Sequence, residues 1–157
     1  MFERILVPLD GSELAEQALP YAREVASKFN ARVTILRAIP TREQAFREVV
    51  GGPGATTAPE LTTGVAMNLY EAEEASAGDY LRRIAQGFSG SGISVETETV
   101  EGAPEWAIKT RAAELGAGLI VMASHGRGGL GRLVYGSVAD AILRESDVPV
   151  MLIRVKG

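Results

Sequence analysis

The stretch ASHGRGGLGRLVYGSVAD, residues 123–140, holds five of the chain's 18 glycines and its only histidine. Glycines between an apolar run and a helical pattern let backbone N–H groups approach phosphate oxygens with no Cβ in the way. Arg127 and Arg132 add positive charge, and Ser137 adds a hydroxyl donor where GSVADAILRES begins a helix, whose N-terminus favours an anion. These residue types in this order point to phosphate binding. Catalysis is a separate matter. A lone histidine in a loop beside an apolar strand, as His125 is, is more often structural, and no carboxylate stands between 123 and 139 to orient it or to hold a metal. Asp140 reads as a first-turn helix acid. Asp10 is the one acid expected nearby, and its type leaves a helix-capping role and a ligand-binding role even. Phosphoryl transfer needs positioning, a metal and charge stabilisation. Only charge stabilisation is visible, so no catalytic residue is assigned.

The elements that must position these residues alternate. RILVPLD (4–10) is a continuous apolar run, as in a strand buried on both faces. GSELAEQALPYAREVASKFN follows with Leu14, Ala18, Tyr21, Ala22 and Val25 at helical spacing, Ser12 or Asp10 as cap, and Pro20 expected to kink it. RVTILRAIP (32–40) is a second strand. Residues 41–63, rich in Gly, Pro and Thr, read as a mobile loop, a tolerated insertion ahead of a lid. A helix is predicted from about Gly64 to Phe88, then a strand alternating Ile93, Val95, Thr97 and Thr99 with polar partners, which suits a sheet edge. APEWAIKTRAAELGAG is a helix opened by Pro104 and closed near Gly116, with Trp106 read as packing rather than ligand stacking. LIVMAS, the most apolar run, should lie centrally, and VPVMLIRV ends the chain's pattern.

Strand–helix alternation implies a parallel sheet with right-handed crossovers and helices on both faces. The expectation is an α/β fold, one doubly wound five-stranded sheet of order 3-2-1-4-5 spanning 1–157 as a single domain. Ligands of such sheets bind beyond the strands' carboxyl ends where strand order reverses. That point brings VPLDGS (7–12) against MASHGRGG (122–129).

Three nucleotide motifs compete for the glycine loop. Gly126-Arg-Gly128-Gly-Leu-Gly131 matches G-x-G-x-x-G, but that fingerprint belongs after the first strand, with an acid on a later strand. Gly126 and Gly131 have P-loop spacing, yet Arg132 and Leu133 stand where Lys and Ser/Thr are required. The third motif is G-x-x-G, nine residues, then G-[ST]. Here it reads Ala123-Ser-His-Gly126, nine residues, then Gly136-Ser137. With RILVPLDGSELAEQAL before it and DVPVMLIR after it, nearly the whole chain resembles the universal stress protein family.

That resemblance implies a Rossmann-like, adenine nucleotide alpha hydrolase-like fold and an ATP-binding regulatory module of the stress response. ATP, or ADP or AMP, would come with Mg²⁺. Pro8, Leu9 and Asp10 would line the ribose and adenine side, Asp10 reaching the metal through the nucleotide. Ala38 would meet the base through its backbone. Met122, Ala123, Gly126, Gly136, Ser137 and Val138 would complete the pocket, with Arg127 screening charge. Ala123 departs from the pattern's first glycine, and its methyl is expected to weaken binding without abolishing it. The family also implies a homodimer formed by pairing the last strands, 148–154, and an unidentified regulatory protein partner. An interaction protein of this fold without nucleotide is the alternative reading, as is a slow ATPase.

Composition bounds the rest. With 46% apolar and 23% charged residues the chain reads as globular rather than disordered. A net charge of −4 with no basic run lacks the footprint of nucleic-acid binding. Zero cysteines remove disulfide and thiolate chemistry. No run approaches the roughly eighteen apolar residues of a membrane span, and the start does not read as an export signal, so the cytoplasm is the expected address.

Overall fold

The computed structural model describes residues 1–51, 59–125 and 136–155. Five strands, β1 (Arg4–Pro8), β2 (Arg32–Ile39), β3 (Val95–Glu101), β4 (Leu119–His125) and β5 (Val150–Val155), form one parallel sheet in the order β3-β2-β1-β4-β5. The doubly wound Rossmann-like order expected from the sequence is therefore present. β1 lies between β2 and β4, with Arg4 beside Arg32 and Ile5 beside Leu119.

Period-two alternation sends Ile5, Val7 and Leu9 to one face and Leu6 to the other. The first face is covered by α1 (Glu13–Glu16), α2 (Leu19–Phe29) and α4 (Pro59–Gln86), through Ala15, Ala18, Ala22, Ala26, Leu81 and Ile84. The second is covered by α5 (Pro104–Leu115) and α6 (Ser137–Glu145), where Ile108, Ala112, Ala139 and Ile142 meet Leu6, Leu36, Ile120 and Met122. The alanines of α1 and α2 let those helices sit close on the sheet. β3 at the edge is tied to α5 by a forked pair, Arg111 Nε and Nη2 each donating at 2.8 Å to Glu98.

Two local expectations change. Pro20 does not kink one long helix. The chain turns at residues 17–18, and α2 starts at Leu19 with Pro20 in its first turn, where a missing N–H costs no hydrogen bond. The loop expected over 41–63 is helical at α3 (Arg42–Gly51) and again from Pro59; residues 52–58 lie outside the described residues. The cause is a capping box at Thr41-Arg-Glu-Gln44: Thr41 N–H donates to Gln44 Oε1 at 2.8 Å, and Gln44 N–H to Thr41 Oγ1 at 3.2 Å. Packing adds to it, since Ala45 is buried with Ile39, Tyr70 and Ala77.

Candidate functional site

β1 and β4 are neighbours, and the chain leaves β1 for β2 on one side but leaves β4 for β5 on the other, so the carboxyl ends of the central strands frame a cleft of about 360 Å³. Pro8, Leu9 and Asp10 enter from β1, Ala38 from β2, Met122 and Ala123 from β4, and Gly136, Ser137 and Val138 from the start of α6. These nine are among the eleven residues that the family resemblance implied. Gly126 and Arg127, the other two, lie outside the described residues, as does the His125 side chain.

The two ends of the cleft differ in chemistry. At one end is the α6 N-terminus. Its N-cap, Gly136, offers no side-chain cap, so the first-turn N–H groups of Ser137, Val138 and Ala139 have no acceptor from it. Gly136 itself lies at φ −59° and ψ 155°, extended backbone open to any residue, and a Cβ there would meet nothing within 4 Å among the described residues. The described residues therefore do not require glycine at this position, which lines the cleft. Asp140 in the first turn is paired at 3.1 Å with Arg144.

At the other end, Leu36, Ala38, Pro104, Ile108 and Met122 make an apolar slot. Backbone chemistry is added by β2. The carbonyl of Leu36 accepts from Leu9 N–H at 2.8 Å, whereas that of Ile39 accepts from Gly102 N–H at 2.9 Å. Alternate residues of a parallel strand thus address alternate neighbours, and Ala38 belongs with Leu36 on the β1 side. The β1–β2 ladder stops at Pro8 beside Leu36, so the N–H and C=O of Ala38 are directed past its end into the cleft.

Between the two ends sits Asp10. Its Oδ1 accepts from Ser12 N–H at 2.9 Å and from Ser12 Oγ–H at 2.6 Å, while Ser12 Oγ accepts from Ala15 N–H at 3.1 Å. Ser12 is thus the cap of α1, and Asp10 supports it with one oxygen only. Gly11 takes φ +89°, and a Cβ on it would come within 3.3 Å of the Arg37 guanidinium. Arg37 is in turn held by Glu73 of α4 at 2.8 Å. Among the described residues no group of three or more His, Asp and Glu gathers as a metal site.

The structure adds Leu14, Ala15, Leu36, Pro104, Ile108, Ser124 and Ala139 to the cleft walls. Ser124 stands out because it is a buried polar residue, 5% exposed, whose Oγ accepts from Gly136 N–H at 3.2 Å. It fastens the start of α6 to the end of β4 across the glycine-rich stretch. No spacing rule identifies it, since its partner is 12 residues away. Trp106 does not line the cleft; its ring lies against Gly102 and is 53% exposed. Among the described residues no helix is long and apolar enough to cross a membrane.

The model of the universal stress protein family matches residues 1–154. A universal stress protein of Methanocaldococcus jannaschii is 27% identical over 98% of this chain and 83% of its own length. Among solved structures, universal stress protein UspA from Lactobacillus plantarum superposes with a TM-score of 0.74 at 27% identity, covering 98% of each chain. A universal stress protein in complex with cAMP shares the fold at a TM-score of 0.67 and 24% identity, covering 98% of this chain and 97% of its own.

Proposed function

Because the chain belongs to the universal stress protein family, we propose that its cleft binds an adenine nucleotide, ATP with Mg²⁺, and that the protein is a nucleotide-responsive regulatory module of the stress response. The observation that carries this reading is the pairing of an open helix N-terminus with an apolar slot in one cleft. An anion gains most at the α6 N-terminus, and a flat base gains most between Ala38, Pro104 and Met122. Adenine presents an acceptor, N1, beside a donor, N6–H, which complements the N–H and C=O of Ala38. Asp10, with Oδ2 outside its bonds to Ser12, serves the ribose or a nucleotide-borne Mg²⁺, an ion that commonly needs only one or two carboxylates beside the phosphates. A universal stress protein in complex with cAMP shares this fold, which supports the reading; the case for this chain rests on its own residues.

The module acts in the cytoplasm as a homodimer through its last strand. Among the described residues β5 pairs only with β4, and Val150, Met151, Leu152 and Ile153 are partly exposed along it. An unpaired apolar edge of this kind favours a second copy across a two-fold axis. A monomer by size-exclusion chromatography with light scattering at micromolar concentration would remove that part.

The nucleotide is tested by thermal unfolding with and without ATP, ADP, AMP and Mg²⁺, together with analysis of the denatured protein's supernatant. Stabilisation by ATP or co-purified nucleotide is expected. Ala123, whose methyl lines the cleft, favours the second reading, a nucleotide-free interaction protein. Absence of both signals would establish that reading instead.

A further inference from the structure

We propose that the cleft is the first half of a longer site, and that its ligands include adenine nucleotides extended from the base edge by a chain ending in a basic group. This rests on the placement of the base at Ala38. Ala38 and Pro104 line both the cleft and a second groove, of about 720 Å³, so the groove adjoins the base end of the cleft. Ile39 and Pro40 form its floor, Gln44, Arg47 and Glu48 of α3 one wall, and Gly102 to Glu105 the other. A group leaving the base past Ala38 enters this groove before it reaches bulk solvent.

Both walls are held by bonds already described. The capping box at Thr41 and Gln44 fixes the start of α3, and Gly102 N–H is tied to Ile39. The groove has a sign. Arg47 is committed to Glu43 at 2.5 Å, whereas Glu48 and Glu105 have no cationic partner among the described residues. Two carboxylates on opposite walls of a groove whose arginine is already paired favour a cation. Adenine substituted once on N6 keeps one N–H for the Ala38 carbonyl, so the extension is compatible with recognition of the base.

The probe is N6-(6-aminohexyl)-ATP compared with ATP, by isothermal titration and by the fluorescence of Trp106. That residue is the chain's single tryptophan, adjoins Glu105 and is half exposed. The analogue should bind at least as tightly as ATP and alter Trp106 emission more than ATP does. The double variant Glu48→Gln, Glu105→Gln should weaken the analogue about three- to tenfold while leaving ATP unchanged, the range expected for two part-exposed ion pairs. An analogue more than about tenfold weaker than ATP would mean that the base end is walled, which overturns the inference and leaves the nucleotide site standing. Equal binding of the analogue to the native chain and the double variant would place the extension in solvent and overturn it too. If neither compound binds, both proposals fall together.

Discussion

Gly136→Val separates the phosphate site from the fold. Among the described residues the Cβ of residue 136 meets nothing within 4 Å, and its φ of −59° with ψ of 155° suits a β-branched side chain. Two small terms of opposite sign act on the free protein. Valine is a poorer N-cap than glycine by about 1 kcal/mol, and replacing glycine lowers the entropy of the unfolded chain by about 0.4–1 kcal/mol. The unliganded melting temperature should therefore move by no more than about 2–4 °C, the equivalent of roughly 1 kcal/mol for a chain of this length. The liganded state behaves differently. Nucleotide at about a hundred times its Kd stabilises the native protein by roughly 2.7 kcal/mol, or about 5–10 °C. The valine side chain occupies the space where phosphate oxygens must reach the α6 N–H groups, so this shift should vanish. Differential scanning calorimetry of both proteins with and without ATP reads all four states, and titration calorimetry checks the loss of binding. A valine variant that keeps the full shift would show that phosphates do not sit at Gly136. A loss of more than about 3 kcal/mol without ligand would instead mean that position 136 is closely packed, on the scale of core substitutions.

Three further outcomes follow from the same residues. Ala123→Gly removes the methyl from the cleft wall and should tighten nucleotide binding in titration calorimetry, at a cost to stability of about 1–2 kcal/mol from lost burial and strand glycine; unchanged affinity would show that the methyl is not in the ligand's way. Ser124→Ala deletes the acceptor for Gly136 N–H, costing about 1 kcal/mol and raising the nucleotide Kd several-fold, with Ser124→Thr restoring both; a threonine variant as weak as alanine would count against the hydroxyl as the anchor. The third concerns alkaline pH. The Tyr80 hydroxyl is buried with no hydrogen-bond partner among the described residues, and burial, with Glu16 and Asp10 adding repulsion, pushes its ionisation well above 10. Tyr70, donating to Glu101, is also raised, that bond being the larger cause and burial the next. Because both folded values are raised, their stability contribution is complete below about pH 10 and declines as pH climbs towards them, the unfolded phenols ionising first. Urea midpoints should hold to about pH 9 and fall above 10, with late tyrosinate absorbance. Tyr80→Phe should flatten the decline and leave stability at pH 7 within about 1 kcal/mol, since the lost hydroxyl has no bond to lose; a loss above about 2 kcal/mol at pH 7 would refute its being unpartnered.

Strand and helix order, the parallel sheet, the edge position of β3 and the crevice between β1 and β4 were legible in the chain. Continuous apolar runs such as RILVPLD and LIVMAS mark strands buried on both faces, and the half-polar alternation of VETETVE marks an edge. The spaced glycine motif, through the family resemblance it carries, implied nine residues that the fold brings into one cleft. The errors were local and have physical causes. The composition of 41–63 suggested a loop, while Thr41 and Gln44 already spelled a capping box, a four-residue signal outweighed by the glycines and prolines after it. Pro20 read as mid-helix because apolar spacing ran through it, whereas the turn at 17–18 puts it in a first turn.

Other features exist only in three dimensions. Ser124 meets Gly136 because β4 and α6 end together, and no sequence period links residues 12 apart. The backbone of Ala38 faces the cleft because β1 stops two residues short of it, which is a fact about a neighbouring strand. The groove beyond Pro104 needs α3 and the β3–α5 turn to stand opposite each other. Types and spacing determined what chemistry the chain can offer, since periodicity, capping and backbone freedom act within a few residues. Where that chemistry meets its ligand was decided by contacts between segments far apart in the chain, which only the packed sheet brings together.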